Sequence, residues 1–167
     1  VDLTDRLLAN TFDKKASSYL ETKLAEHSSE FIKENTVTKV TTKNNKIVSV
    51  TLQNKKIVKT KLLIVAIGVK PNLDIVEKTN IKTDRGILVN EFMETNIKNI
   101  YAAGDVAQGK DFLSNTNTVI AIWPVAARQG KVAGYNMVGK DVSYDGMFAM
   151  NSVEILGIPS ISFGITN

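Results

Sequence analysis

The sequence predicts an α/β fold, and three observations carry that prediction. A short apolar run, Ile100 to Ala103, leads directly into Gly104 and Asp105. Three β-branched runs follow one another between Val37 and Leu62. Two stretches with helical periodicity, one opened by Asp13 and one by Pro124, stand before and after them. At 167 residues the chain has room for one domain or two small ones, able to bury roughly 70% of its unfolded surface. Its 43% hydrophobic and 23% charged residues are ordinary for a globular protein.

Asp13 is a good N-cap for a helix running to about His27. Ala16, Leu20 and Leu24 recur every four residues with Tyr19 alongside, which gives one apolar stripe for packing. His27 falls at the helix end, where an imidazole suits the dipole. The runs Val37–Lys43, Lys46–Leu52 and Ile57–Leu62 predict a three-stranded antiparallel meander. Asn44-Asn45 sits at hairpin spacing, and asparagine tolerates the left-handed conformation that such turns require. The unbroken apolar run Leu62–Ile67 suits a strand covered on both faces. Gly68, Pro71 and Asn72 then break the chain, and a short helix from Asn72 to about Lys78 is expected. Beyond it the pattern predicts strands around Gly86–Val89 and Asn99–Ala103, then a polar loop from Gln108 to Asn117. A helix follows from Pro124 to Val138, stopped by Gly139. After Asp141 aromatic and β-branched residues return and open a third unit.

Composition removes several function classes. The longest apolar run, Leu62–Ile67, is far short of the ~20 residues that cross a bilayer. No charged leader with an apolar core opens the chain, so the expected location is cytoplasmic. With no cysteine there is no disulfide framework, and with a single histidine, His27, no transition-metal site is expected. The net charge of +4 is uneven: seven lysines and no acid lie between Val37 and Lys61. Nucleic-acid binding would call for arginines and interleaved aromatics, which this segment lacks. Lysines guarding a sheet edge explain the cluster; docking of an acidic partner is the alternative.

The hexapeptide Ile100–Asp105, IYAAGD, carries the most chemistry. It places an acid at the carboxyl end of an expected strand, where open α/β sheets bind ligands. Gly104 lets a ligand approach the backbone, and the Asp105 carboxylate accepts hydrogen bonds from hydroxyls. An ordinary Gly-Asp turn would give the same order of residues. The Pro124 helix adds a second feature: Trp123 before it has no side-chain oxygen to cap with, so the first N–H groups need another acceptor. Ala126, Gly130, Ala133 and Met137 form a mostly small-residue stripe along it, suited to close packing.

Together with RGILVNEFMET (Arg85–Thr95) and WPVAARQGKVAGYNMVG (Trp123–Gly139), the hexapeptide resembles the second flavin-binding half of the pyridine nucleotide–disulfide oxidoreductases. The nearest look is to NADH oxidases, rubredoxin reductases and nitrite-reductase-like enzymes. VDLTDRLLANTFDKKAS (Val1–Ser17) and IVAIGVKPN (Ile64–Asn72) resemble the latter half of that family's NADH domain. The resemblance covers about residues 1 to 145. It implies the second halves of two Rossmann-like, FAD- and NAD(P)-binding domains, with the meander in the first. Residues 1–71 would belong to the NADH domain, 72–143 to the FAD domain, and 144–167 to the start of a C-terminal interface domain. Ten glycines include no G-x-G pair, so both pyrophosphate-gripping loops are expected in a missing N-terminal half. The chain thus reads as the C-terminal portion of a longer enzyme, inactive alone.

The resemblance also implies roles. Asp105, with Gly104 allowing the approach, would hold the ribityl hydroxyls of FAD. The helix opened by Trp123 and Pro124 would point its N-terminus at the flavin pyrimidine carbonyl. Asp2 would accept from the adenosine ribose of NADH, and the Gly68 backbone would lie near its nicotinamide. Hydride would pass from NADH to FAD, and electrons onward to an acidic acceptor protein or a small molecule. No residue is expected to act as acid, base or nucleophile, and no metal is expected. Membrane and nucleic acid are not expected partners; a homodimer is compatible. Asn90 stands where relatives often have aspartate, and Asn96 where serine is frequent. The rival readings are a non-enzymatic interaction module and one subunit of a split flavoenzyme.

Overall fold

The computed structural model describes residues 1–165 and is a mixed α/β arrangement in two compact units. The first comprises Val1–Ile67 with Asn151–Ser162, the second Gly68–Met150 with Phe163–Ile165.

In the first unit, helix α1 spans Lys14–Glu26, and the Asp13 carboxylate caps it by accepting from the Ala16 N–H at 2.8 Å. The expected start and end are both observed. Its inward face differs in detail from the predicted stripe: Leu20 and Ser17 are buried, Ala16 and Leu24 are half-buried, and Tyr19 faces out. Ser17 is tolerated because its hydroxyl donates to the Leu7 carbonyl at 2.7 Å, which replaces the water it gives up. Glu21 adds a second tie, accepting from the Leu7 N–H.

The meander forms in the predicted order, with its third strand shortened. Strands β1 (Val37–Lys43), β2 (Lys46–Leu52) and β3 (Ile57–Lys59) pair antiparallel in that order. Asn44 and Asn45 both take positive φ, 50° and 61°, in the hairpin between the first two. Val50 and Leu52 of β2 are buried, two residues apart on one face, as the period of a strand requires. A second hairpin, β7 (Met150–Ile155) and β8 (Ile158–Phe163), turns at Leu156-Gly157, and the Ser162 hydroxyl donates to the Thr11 carbonyl.

The run Leu62–Ile67 corrects the prediction of a buried strand. It carries no strand pairing, and Ile64 and Ile67 are 78% and 90% exposed. A strand covered on both faces needs a neighbour on its edges, and no described residue supplies one. The third predicted strand of the meander is shortened for the same reason, ending at Lys59 instead of Leu62.

In the second unit, β4 (Ile87–Leu88) pairs parallel with β5 (Ala107–Lys110), which pairs antiparallel with β6 (Asn117–Thr118). Helix α2 (Trp123–Met137) packs Val132 and Ala133 into a core with Val76, Ile87, Val89, Met93, Ala102, Ala107 and Tyr144. It closes with Gly139 at φ 77°. The Lys140 N–H bonds to the Tyr135 carbonyl and the Gly139 N–H to that of Asn136, the paired bonds of a Schellman ending.

Three expectations are corrected here. Residues 72–78 form successive turns rather than a helix, with Val76 N–H to Leu73 and Thr79 N–H to Val76. Seven residues with Ile75 and Val76 among them are too few and too β-branched to overcome the cost of nucleation. The predicted loop from Gln108 contains β5 and β6 instead. Gln108 is buried because its side-chain carbonyl accepts from the Gly86 N–H at 2.8 Å while its amide reaches Asp84 and Asn117. Asn99–Ala103 is not a ladder strand. Tyr101 makes a single antiparallel bridge to Glu94, flanked by Thr95 N–H to Ile100 and Ala102 N–H to Met93. The bridge is isolated, with no adjacent bridge to extend it into a ladder.

Candidate functional site

Asp105 therefore sits in a turn leading into β5, not at the end of a strand. Gly104 has φ 84°, and its carbonyl accepts from the Ala107 N–H to close the turn. The positive φ is one that side chains with a Cβ rarely adopt, so glycine belongs here. Asp105 is exposed, and its carboxylate has no hydrogen-bond partner among the described residues.

The turn lies against the start of α2. A Cβ on Gly104 would stand 3.5 Å from the Ala126 Cβ, in the first turn of that helix. The N-cap is Ile122, one residue earlier than the predicted boundary, and it provides no side-chain hydrogen bond. The first helical bond is Ala126 N–H to the Ile122 carbonyl. Pro124 has no N–H, and those of Trp123 and Val125 bond to no acceptor among the described residues. Trp123 and Pro124 are both exposed. Thus the turn that carries Gly104 and Asp105 lies against the first turn of the helix that Trp123 and Pro124 open, with an unengaged carboxylate on the turn and unengaged amides on the helix. Chemically this offers acceptors for hydroxyls beside donors, and partial positive charge, for a carbonyl or anion.

The residue that joins these parts is one the sequence did not single out. Gln129 is 1% exposed, and its side-chain carbonyl accepts from the Gly104 N–H at 2.8 Å. It belongs to the buried face of α2, formed by Val125, Gln129, Val132 and Ala133. The predicted small-residue stripe is thereby corrected. Gly130 and Met137 are exposed and Ala126 is half-buried, because the larger apolar residues claim the core. A polar residue four positions after Val125 and three before Val132 was the signal available in the sequence. Tyr144 lies beside it, 1% exposed, with a hydroxyl that has no hydrogen-bond partner among the described residues. Burial pushes this phenol above its ordinary range. The Gln129 amide draws it part of the way back, although no bond of ordinary geometry joins the two.

The other predicted residues make no hydrogen bond to this cluster among the described residues. Asp2, in the first unit, accepts from both the N–H and the hydroxyl of Thr4 at 2.9 Å. Those bonds, the backbone one foremost, hold its carboxyl below the usual range. Gly68 has φ 89° with open space around it. Asn90 accepts from the Phe92 and Glu94 N–H groups through its side-chain oxygen, so an amide serves this turn. Asn96 accepts from the Lys82 N–H and donates to Asn80. A cleft of about 890 Å³ lies in the meander, with Lys43, Lys46, Lys59 and Lys61 along it. Among the described residues there is no cluster of metal-ligating side chains, and no helix is long and apolar enough to cross a membrane.

Comparison with known proteins shows which family the chain is similar to. The family described as pyridine nucleotide-disulphide oxidoreductase matches residues 1–130. An NADH-rubredoxin oxidoreductase of Clostridium acetobutylicum is 45% identical over 106 residues, covering 64% of this chain and 26% of that protein. A CoA-dependent NAD(P)H sulfur oxidoreductase of Pyrococcus furiosus is 29% identical over 98% of this chain and 37% of its own length. The structure of an NAD-dependent persulfide reductase from A. fulgidus superposes with a TM-score of 0.91 at 25% identity, covering 98% of this chain and 30% of that one. The chain thus spans between a quarter and two fifths of the length of these relatives.

Proposed function

Because this chain belongs to the pyridine nucleotide-disulphide oxidoreductase family, we propose that it forms the flavin-facing part of an FAD-dependent, NADH-oxidising reductase. Residues 1–71 are the latter half of a Rossmann-like NADH domain, 72–143 the latter half of the FAD domain, and 144–167 the start of an interface domain. The exposed run Leu62–Ile67 then adds as a strand to a sheet whose other strands lie in the part of the relatives that this chain does not match.

One observation carries the reading: the Gly104 turn rests on the first turn of α2. The residues fit the cofactor chemically. A polyol chain needs acceptors, and the Asp105 carboxylate is unengaged. A ring carbonyl needs donors, and the Trp123 and Val125 N–H groups are unengaged. When bound, FAD accepts hydride from NADH and hands electrons to the acceptor. This chain's part is to hold the polyol at Asp105 and to favour negative charge at the start of α2, where Pro124 presets the helix. Asp2 accepts from the adenosine ribose of NADH, and the Gly68 backbone borders its nicotinamide. The name of the Clostridium relative supports an acceptor protein; on this reading an acidic one is drawn in by the meander lysines, faster at low salt. The enzyme is cytoplasmic and can dimerise. Without G-x-G loops of its own, the chain alone binds FAD weakly.

The test is Asp105→Ala in the assembled reductase, this chain together with the segments bearing the glycine loops. A hydrogen bond to a charged group is worth about 1.5–3 kcal/mol, so FAD affinity should fall roughly ten- to a hundred-fold. FAD retention equal to the parent's would remove Asp105 from the site.

A further inference from the structure

We propose that Gln129 is a positioning residue that locks the Gly104–Asp105 turn to α2, so that carboxylate and helix amides meet the flavin as one preset unit. This rests on the flavin reading above, but it concerns a residue that touches no ligand. Three observations carry it. Gln129 is the buried polar side chain on an otherwise apolar helix face, a placement that costs free energy unless its amide is satisfied. Its carbonyl accepts from the backbone N–H of Gly104, the residue just before Asp105, at 2.8 Å. Its amide nitrogen packs closely against β5, where Gly109 leaves room for it: a Cβ there would stand 2.5 Å from the Gln129 Nε2 and 3.1 Å from the Tyr144 ring.

Gly109 is therefore the counterpart of Gln129. The glycine on β5 admits the amide, the amide holds the turn, and the turn carries the acid. A turn with φ 84° at Gly104 has other conformations open to it once that bond is lost. Preset geometry of this kind raises affinity by lowering the ordering cost of binding.

Three variants test it with two readouts, hydrogen exchange at the Gly104 amide and FAD titration of the assembled reductase. Gln129→Met keeps length and removes the acceptor. Gly109→Ala displaces the flexible end of Gln129 while leaving both Gln129 and the turn chemically intact. Gln129→Glu keeps an acceptor. We expect faster exchange at Gly104 and roughly three- to ten-fold weaker FAD binding in the first two, with Gln129→Glu restoring protection and most of the affinity. Should the glutamate variant lose as much as the methionine variant, the acceptor is not what matters and the proposal fails. Unchanged FAD affinity with lost Gly104 protection also overturns it, while the flavin reading stands if Asp105→Ala still weakens binding. If Asp105→Ala has no effect either, the flavin reading falls with it.

Discussion

The two helices are built alike inside and unlike at their starts. Each buries one polar side chain that ties down a neighbouring backbone: Ser17 of α1 donates to the Leu7 carbonyl, and Gln129 of α2 accepts from the Gly104 N–H. At its N-terminus α1 is closed, with Asp13 supplying the capping oxygen. At its N-terminus α2 is open, because Ile122 has no side-chain oxygen to offer and Pro124 no N–H to satisfy. A helix can thus spend its first turn on its own stability or leave it available to a ligand. The first choice is visible in α1, and the second is the one we assign to α2.

The largest effect on that comparison should come from the inward face of α1. Leu20 is 2% exposed, and Leu20→Ala should cost about 2–5 kcal/mol, measured by urea unfolding. A loss under 1 kcal/mol would mean that α1 contributes little to its unit. Exchanging the starts of the helices comes next. Asp13→Ala should lower stability by about 1 kcal/mol. The reciprocal change, Ile122→Asp, should raise stability by up to about 1 kcal/mol. In the assembled reductase it should weaken FAD binding, because a carboxylate there occupies the amides and repels negative charge. Stability and affinity moving in the same direction would erase the distinction between the two starts.

The smallest effect concerns the tyrosine beside Gln129. Burial raises the Tyr144 pKa, so the fold holds the phenol protonated at pH values where the unfolded chain, at about 10, gives its proton up. This contribution is complete below pH ~10 and is lost as pH rises through the folded value. Tyr144→Phe should flatten the fall in stability between pH 9 and 11, relative to the parent, in matched urea titrations. Near neutrality it should be close to neutral, since the hydroxyl has no hydrogen-bond partner to lose. A fall as steep as the parent's would assign that pH dependence to other groups.

Much of this was legible before any coordinates. Asp13, the Asn44-Asn45 turn, Gly139 and Pro124 each act through their own dihedrals or a bond within four residues, so α1, the meander hairpin and both ends of α2 could be read directly. The uncapped start of α2 was equally local, being a matter of which residues lack an oxygen. The misses share a cause as well. Leu62–Ile67 has the composition of a strand and no neighbour to make it one. Gln108 looked like a loop residue because its polarity was read without the partners that bury it, and Asn117 because its pairing with Lys110 across the sheet is not local. Met137 looked inward by helical spacing until Val125 and Val132 took the core.

What the residues determined unaided was therefore the local grammar: helix caps, turns, the meander, the open amides of α2 and the family to which these motifs belong. Tertiary structure alone decided which polar side chain could be buried, where the IYAAGD turn would rest, and that Gln129 would hold it there. The physical reason is range. Caps and turns are settled by bonds a few residues long. A buried amide is tolerable only if an N–H from 25 positions away arrives at its oxygen, and nothing short of the folded chain specifies that meeting.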